Sequence, residues 1–564
     1  MLLFRRAFFF AVVLLTSLGL IVLMARVLAP GGWTPFAMLI MACFVGTVPW
    51  TGICLGNALP GFFLLMFAAD PARAALGVAF DDAAPVTARV AIAVTVRDEA
   101  MELVLPPLRR LLDGLDRSGQ GGWFTLAVLS DTRDPALAAA EAAAVDGWRG
   151  DDARIGYRRR TDNAGFKAGN VMDFLDHHAG DAAFVVMLDA DSEMSADAVL
   201  RLVRIMQADP LMGIVQHLIV GRPAAAVFPR LFQFGMRAGM RVWATGQGWW
   251  QGPDGPYWGH NAILRAAPFR THCRLGPLPD GSAILSHDQV EAARMCAAGW
   301  KVCVWASEDS SMEGNPPALP EFLHRDSRWL AGNLQYRHLL ALPGLRAMGR
   351  WQLGQAILMF VGAPLYVAMM VLAALNAASG GAAATPDAAL GWLALAWGLA
   401  LYSPKLLGYA EVLWHPARAG RYGGRRLFAA GAVVEIIFSL LLDAVSQPHK
   451  TLAMLRLALG LRSGWLPQNR NARGVSWMEA GRMFWPHTLL GVAVFALFAG
   501  ASGNALLWAS PFVGGLPLAV PLCVASANPA LASWMQRRGL AVTPEERVQP
   551  PQPGRPLEAG PGCR

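Results

Sequence analysis

Apolar positions along the chain fall into runs of two lengths, and the difference separates two kinds of structure. Residues 7–28 and 34–69 are long, almost uninterrupted apolar stretches, each sufficient for a helix across a hydrocarbon core ~30 Å thick. After residue 70 charges become dense. Apolar runs there shorten to strand length and alternate with helix-period segments, the pattern of an α/β domain. Strands are predicted at Val90–Val96, Phe124–Leu129, Ala183–Leu188, Met212–Gln216 and Lys301–Trp305, with helices such as Pro135–Val145 and Ala196–Met206 between several of them. Long apolar segments return at 353–375, 388–411, 427–447, 486–503 and 505–527, with a weaker one at 449–461.

The expected organisation is two N-terminal transmembrane helices in 1–70, an α/β domain in 71–350, and a helical membrane region in 351–530 that contains a polar loop at 462–485. A tail follows in 531–564, and its Pro- and Gly-rich part from 541 on is too poor in apolar residues to pack. A charged start before an apolar run also suits a signal peptide, but the second long run argues against one. Arg5 and Arg6 ahead of the first run place the N-terminus and the α/β domain in the cytoplasm. The basic stretches 415–426 and 462–482 belong on the same side, which requires 427–461 to fold back as a hairpin and predicts about eight membrane segments. Residues 449–461 would be one of them, or a helix lying in the interface. Glu435 and Asp443 then fall in or near the membrane, where an acid is either functional or packed against partner helices.

Composition sharpens this picture. A hydrophobic fraction of 54% and a mean hydropathy of +0.36 exclude an ordinary soluble enzyme. The net charge of +8 is carried by arginine, since Lys167, Lys301, Lys405 and Lys450 are the only lysines, and it reads as cytoplasmic loops at an inner membrane and not as nucleic-acid binding. The seven cysteines form no CxxC pair, so neither a zinc site nor a disulfide framework is indicated.

Candidate chemistry begins at "VVMLDADSEM" (185–194), where a buried strand runs out into Asp189 and Asp191. Two carboxylates one residue apart at a strand end can share one hard cation, Mg²⁺ or Mn²⁺, that bridges phosphates. Alone the pair also fits a solvated turn, and context strengthens it. In "NAGFKAGN" (163–170) Lys167 supplies a point charge suited to a phosphate or simply starts a helix. In "AILSHDQVEAARMCAAGWKV" (283–302) Asp288 is a helix N-terminal acid or a base for a hydroxyl nucleophile. In "HRDSRWLAGNLQY" (324–336) Arg328 suits a diphosphate and Trp329 a sugar face, the alternative being a Trp and Arg interfacial anchor. Asp98, Glu99 and Asp131 follow strand ends, where open α/β sheets place their ligand crevice.

Together with "LSDTRDP" (129–135), "YWGHNAILR" (257–265), "SPKLLGY" (403–409) and "GLAVTPEE" (539–546), these strings resemble the membrane-embedded glycosyltransferases of family 2, and within them the branch that synthesises osmoregulated periplasmic glucans. Ser286-His287-Asp288 and Arg325-Asp326-Ser327-Arg328-Trp329 stand where cellulose synthases carry Thr-Glu-Asp and Gln-x-x-Arg-Trp, which favours that branch. The resemblance implies an α/β GT-A type domain inserted between helical transmembrane segments, and an inverting transfer of glucose from UDP-glucose to a growing β-1,2-glucan. It implies that Asp98, Glu99 and Asp131 line the uridine, Lys167 and Arg328 face the diphosphate, Asp189 and Asp191 hold the metal, and Asp288 is the base. Trp329, His260 and Asn261 would face the acceptor. Trp465, Gln468 and Arg470, in the basic loop "RSGWLPQNR" (462–470), are expected to gate the nucleotide. Acyl carrier protein and a periplasmic glucan-processing protein are implied partners. The competing expectations are a related synthase making another polysaccharide, and an inactive transporter or sensor.

Overall fold

The computed structural model describes residues 1–308, 310–461 and 473–548. Its α/β part is built on seven strands: β1 (Val90–Val96), β2 (Phe124–Ser130), β3 (Ile155–Arg159), β4 (Phe184–Asp189), β5 (Met212–His217), β6 (Ala262–Arg265) and β7 (Lys301–Trp305), in spatial order β3-β2-β1-β4-β6-β5-β7. Neighbours run parallel except at β6, which is antiparallel to both β4 and β5. Successive side chains alternate between two cores: Ile92, Val94, Val186 and Leu188 join one, Ala91, Ala93, Val185 and Met187 the other. With both faces covered, the strands read as continuous apolar runs, and for that reason five of the seven are predictable. The two others are less visible: β3 carries Arg158 and Arg159 at the sheet edge, and β6 has only four residues.

The chain leaves β1 for β2 on one side and reaches β4 on the other, so a crevice opens at the carboxyl ends of these three strands. A small second sheet lies over it. Its middle strand, Ser311–Glu313, pairs antiparallel with Glu193–Met194, just after the β4 turn, and parallel with Val220–Gly221.

A 25-residue helix, Val227–Gln251, joins this part to the apolar helices, and nothing in the hydropathy pattern announced it. It buries Arg230, Gln233, Arg237, Arg241, Gln247 and Gln251. Backbone meets backbone where it crosses Pro35–Phe67: a Cβ at Gly61 would sit 1.9 Å from the Val242 carbonyl oxygen, and one at Gly246 1.9 Å from that of Asn57. Small residues permit such an approach between helices, and Trp250 Nε1 donates to Asn57 Oδ1 at 2.8 Å beside it.

Among the described residues, five helices are long and apolar enough to cross a membrane: Leu2–Gly31, Pro35–Phe67, Ala347–Ala384, Arg425–Ala458 and Trp477–Ala501. A sixth span arises if Asp387–Leu401 and Ser403–Trp414, bent by 72° at their junction, count as one. The expected hairpin over 427–461 does not form. Arg425–Ala458 is one helix that runs straight through Pro448, which is buried. Packing along its length tolerates the missing hydrogen bond of one proline. Residues 505–527 likewise give two short helices, Gly503–Val513 and Ala519–Ser526, instead of one span. Both basic stretches nevertheless reach the α/β part without a hairpin: Arg421 pairs with Glu308 at 3.2 Å, and Arg473 with Glu321 at 2.7 Å. Glu435 is fully buried against Lys405 (2.5 Å), Ser439 and Tyr409, and Asp443 accepts from the Tyr402 hydroxyl at 2.6 Å, so both acids are satisfied by neighbouring helices.

Candidate active site

β4 delivers Asp189 to the crevice. Its N–H donates to Ser192 Oγ at 2.9 Å, and the Ser192 N–H returns to the Asp189 carbonyl at 3.0 Å, a tight turn that also presents Asp191. Thr95 on β1 donates to Asp189 Oδ1 at 3.2 Å, and the Lys167 ammonium bonds the same oxygen. Lys167 is placed by its helix, Phe166–His177, which enters through Gly165 in the left-handed region and is tied to β2 by Asn170, whose amide donates to the Leu129 carbonyl at 3.2 Å. Gly169 allows this close start, because a Cβ there would lie 2.0 Å from the Ala164 carbonyl oxygen.

On the other side of Asp189 stands His260. Its Nδ1 is 3.9 Å from Asp189 Oδ2 and its Nε2 2.8 Å from Glu313 Oε2. Burial alone lowers the affinity of this imidazole for a proton, but Asp189 and Glu313 outweigh it and raise the pKa to about 9, so the ring is charged at neutral pH. Glu313 is held below its usual range: burial raises it, and the bond to His260 more than reverses that. Asn261, expected to face the acceptor, is instead fully buried with φ 48°, and its amide donates to Ser311 Oγ at 2.9 Å, fixing the overlying strand.

Asp288 opens the helix Asp288–Ala297, against Gly259, where a Cβ would touch the Asp288 Cβ at 3.4 Å. Its carboxyl is pushed up from the ordinary value, first by burial, with the His287 charge opposing and Glu291 adding to the rise. The Lys167 charge acts on His260, His287 and Asp288 alike, which marks these groups as one electrostatic neighbourhood. The turn before Asp288 is clasped to the helix Leu319–Gln335, the carrier of Arg328 and Trp329. The Leu285 N–H donates to Gln335 Oε1 at 2.9 Å, Gln335 Nε2 to the Ala283 carbonyl at 3.1 Å, and a Cβ on Gly332 would fall 2.1 Å from Ser286 Oγ. Trp329 is half exposed, with the Arg325 guanidinium 4.6 Å from its ring centre.

Asp98 and Asp131 sit at the ends of β1 and β2. The Asp98 N–H donates to Thr132 Oγ1 at 2.7 Å from a backbone with φ 56°, and Glu99 follows it, half-buried. Asp131 is buried, and both its oxygens are taken by Arg160 at 2.7 and 2.8 Å. Arg160 in turn holds the Ala164 and Phe166 carbonyls at 2.8 and 2.6 Å, so Asp131 shapes the Lys167 loop instead of offering a free carboxylate to a base. Trp465, Gln468 and Arg470 lie outside the described residues.

Asp189 and Asp191 supply hard oxygen donors of the kind Mg²⁺ or Mn²⁺ takes. Among the described residues no cluster of three or more His, Cys, Asp or Glu is set for a metal by itself. That donor set fits a cation whose shell is completed by substrate phosphates and water. Sequence reasoning missed Arg160, Glu313 and Gly332. Gly332 lies inside the quoted stretch 324–336 and Arg160 stands just ahead of "NAGFKAGN", while Glu313, in the three-residue strand Ser311–Glu313, carries no signal of its own.

The family model for glycosyl transferase family group 2 matches residues 184–403, from β4 to the bend between the paired helices. The chain is 33% identical over 551 residues to the glucans biosynthesis glucosyltransferase H of Caulobacter vibrioides (strain NA1000 / CB15N), covering 93% of this chain and 82% of that protein. It is 33% identical to those of Ralstonia nicotianae (94% and 64% covered) and Pseudomonas entomophila (91% and 62% covered). Among solved structures, mannosyltransferase PcManGT from Pyrobaculum calidifontis in complex with GDP-Man and Mn²⁺ aligns at 18% identity with a TM-score of 0.44, over 67% of this chain and 99% of that one.

Proposed function

Because this chain belongs to the glucans biosynthesis glucosyltransferase H family, and so is a hexosyltransferase, we propose that it polymerises glucose from UDP-glucose into the linear β-1,2-glucan backbone of osmoregulated periplasmic glucans and helps pass it across the inner membrane. The observation that carries the reading is the meeting of the Asp189 turn, Lys167 and the Asp288 turn in one crevice, with the Arg328 and Trp329 helix clasped to the last of these.

In this reading Asp98, Glu99 and the Asp131-supported loop take the nucleoside, and Lys167 and Arg328 face the diphosphate. Asp189 and Asp191 would hold a divalent cation, which when bound offsets charge on the diphosphate. An acceptor hydroxyl, with the terminal sugar resting on Trp329, attacks the anomeric carbon from the face opposite the diphosphate. As the new C–O bond forms, the bond to the β-phosphate oxygen breaks, the hydroxyl proton passes to the Asp288 carboxylate, and UDP leaves with the electron pair, so configuration inverts. A carboxylate whose proton affinity is raised is the better base. The rest is positioning and charge stabilisation. The catalytic part faces the cytoplasm, in keeping with the arginines before the first span.

Purified protein in lipid with Mg²⁺, offered UDP-glucose, UDP-galactose and UDP-N-acetylglucosamine in turn, is expected to make polymer only from the first, with β-1,2 linkages by methylation analysis. Another linkage removes the product assignment, and preferred turnover of another sugar removes the donor.

A further inference from the structure

The strand Ser311–Glu313, which holds Glu313 against His260 and Asn261 against the sheet, is bolted at both flanks to the helix Val227–Gln251. Glu308 is bonded by Arg237 Nε at 2.9 Å, and Asn315 donates to Gln233 Oε1 at 3.2 Å. Arg421 and Arg241 also reach Glu308, at 3.2 and 3.5 Å.

The same Arg237 is a fork with two customers. Its Nη1 and Nη2 grip Glu545 bidentately at 2.5 and 2.9 Å, from a short helix, Pro544–Val548, at the end of the described chain. That segment is anchored by Glu546, fully buried, which accepts from Arg230 at 2.8 Å, from the Ala224 N–H at 3.2 Å and from the Thr543 N–H at 3.1 Å. A planar guanidinium buried to 2% exposure fixes its Nε direction once its other two nitrogens are held.

We propose that Glu545 is a positioning residue for glucosyl transfer: by orienting Arg237 it sets Glu308, and with it the strand that places Glu313, His260 and Asn261 over the Asp189 turn. Glu546 is the anchor that brings Glu545 there. The inference rests on the proposed transferase reading only for its rate arm.

The test is Glu545→Gln in the full-length protein in lipid, read by hydrogen exchange, thermal melting and UDP release from UDP-glucose. Exchange is expected to rise in the peptide carrying Ser311–Glu313 while β1 and β4 keep theirs and the melting temperature holds. The kcat falls about tenfold with KM within about twofold, since small misplacements remote from the chemistry act on turnover. Glu545→Asp, which keeps the charge, recovers part of both. Wild-type exchange in that peptide overturns the proposal, as does loosening spread evenly over the sheet with a fall in melting temperature. If Glu545→Gln is lost from the membrane fraction, Glu545→Asp is read against the same two outcomes. The exchange arm decides even if the protein does not turn over UDP-glucose, so failure of the donor assignment and failure of the latch are told apart.

Discussion

Two clusters of charge flank the strand Ser311–Glu313, and they are built to opposite specifications. In the crevice cluster the Asp189 and Lys167 side chains keep 31% and 25% of their surface, enough for a ligand to reach both. In the latch cluster Arg230 and Glu546 keep 1% and 0%, and every carboxylate oxygen of Glu545 and Glu546 already has a guanidinium or N–H partner. Completeness of pairing, and at the Arg230–Glu546 anchor full burial as well, separates groups kept for architecture from groups kept for chemistry; Glu545 itself keeps 28% of its surface. A sealed pair returns its desolvation cost only while both partners are present; an open pair costs less and can exchange its partner for substrate.

If that contrast is right, the clusters should fail in different currencies. The largest expected effect is Glu546→Gln, which leaves Arg230 a buried charge without its counter-ion and should cost about 3–5 kcal/mol of stability, read as a lower denaturation midpoint in lipid. A midpoint unchanged from wild type would break the comparison at its sealed end. Next comes Gly332→Ala, whose methyl would drive the Ser286 turn away from the Arg328 helix. Turnover should drop roughly 10- to 100-fold with donor affinity retained, as seen by UDP binding beside UDP release. The smallest effect sharpens the contrast by its sign. Asp288 has a raised pKa in the fold, so its stabilising share is present below the unfolded pKa and lost as pH rises through the folded one. Asp288→Asn should therefore raise the melting temperature slightly at pH 7, with the gain disappearing in acid. In wild type the same ionisation should give UDP release an acidic limb displaced upward from the ordinary carboxylate range.

What the sequence made legible follows the same division. Strands β1, β2, β4, β5 and β7 could be read because burial on both faces leaves an apolar run, and Asp189, Asp191, Lys167 and Asp288 because each sits at the end or start of such an element. The helix Val227–Gln251 escaped because its buried arginines find their counter-ions at Glu308, Glu545 and Glu546, tens to hundreds of residues away, and periodicity does not report partners at that separation. A hairpin over 427–461 is expected when the basic stretches on both sides of it are assigned to one side of the membrane, whereas Arg425–Ala458 is a single helix whose packing absorbs Pro448. Position at a strand end puts Asp131 at the crevice, and the family resemblance puts it beside the uridine. Its bidentate bond to Arg160 depends on the parallel pairing of β2 with β3, a strand hidden in a run of arginines.

The most direct test of the account is UDP release and UDP binding measured side by side in lipid with Mg²⁺ for wild type and Asp288→Asn. The account predicts unchanged UDP binding in both, with release from UDP-glucose in the variant reduced by about 10²–10⁴-fold, the usual range for losing a general base. Release that persists at the wild-type rate in a variant that still binds UDP would contradict it, and would move the base to another group in the crevice.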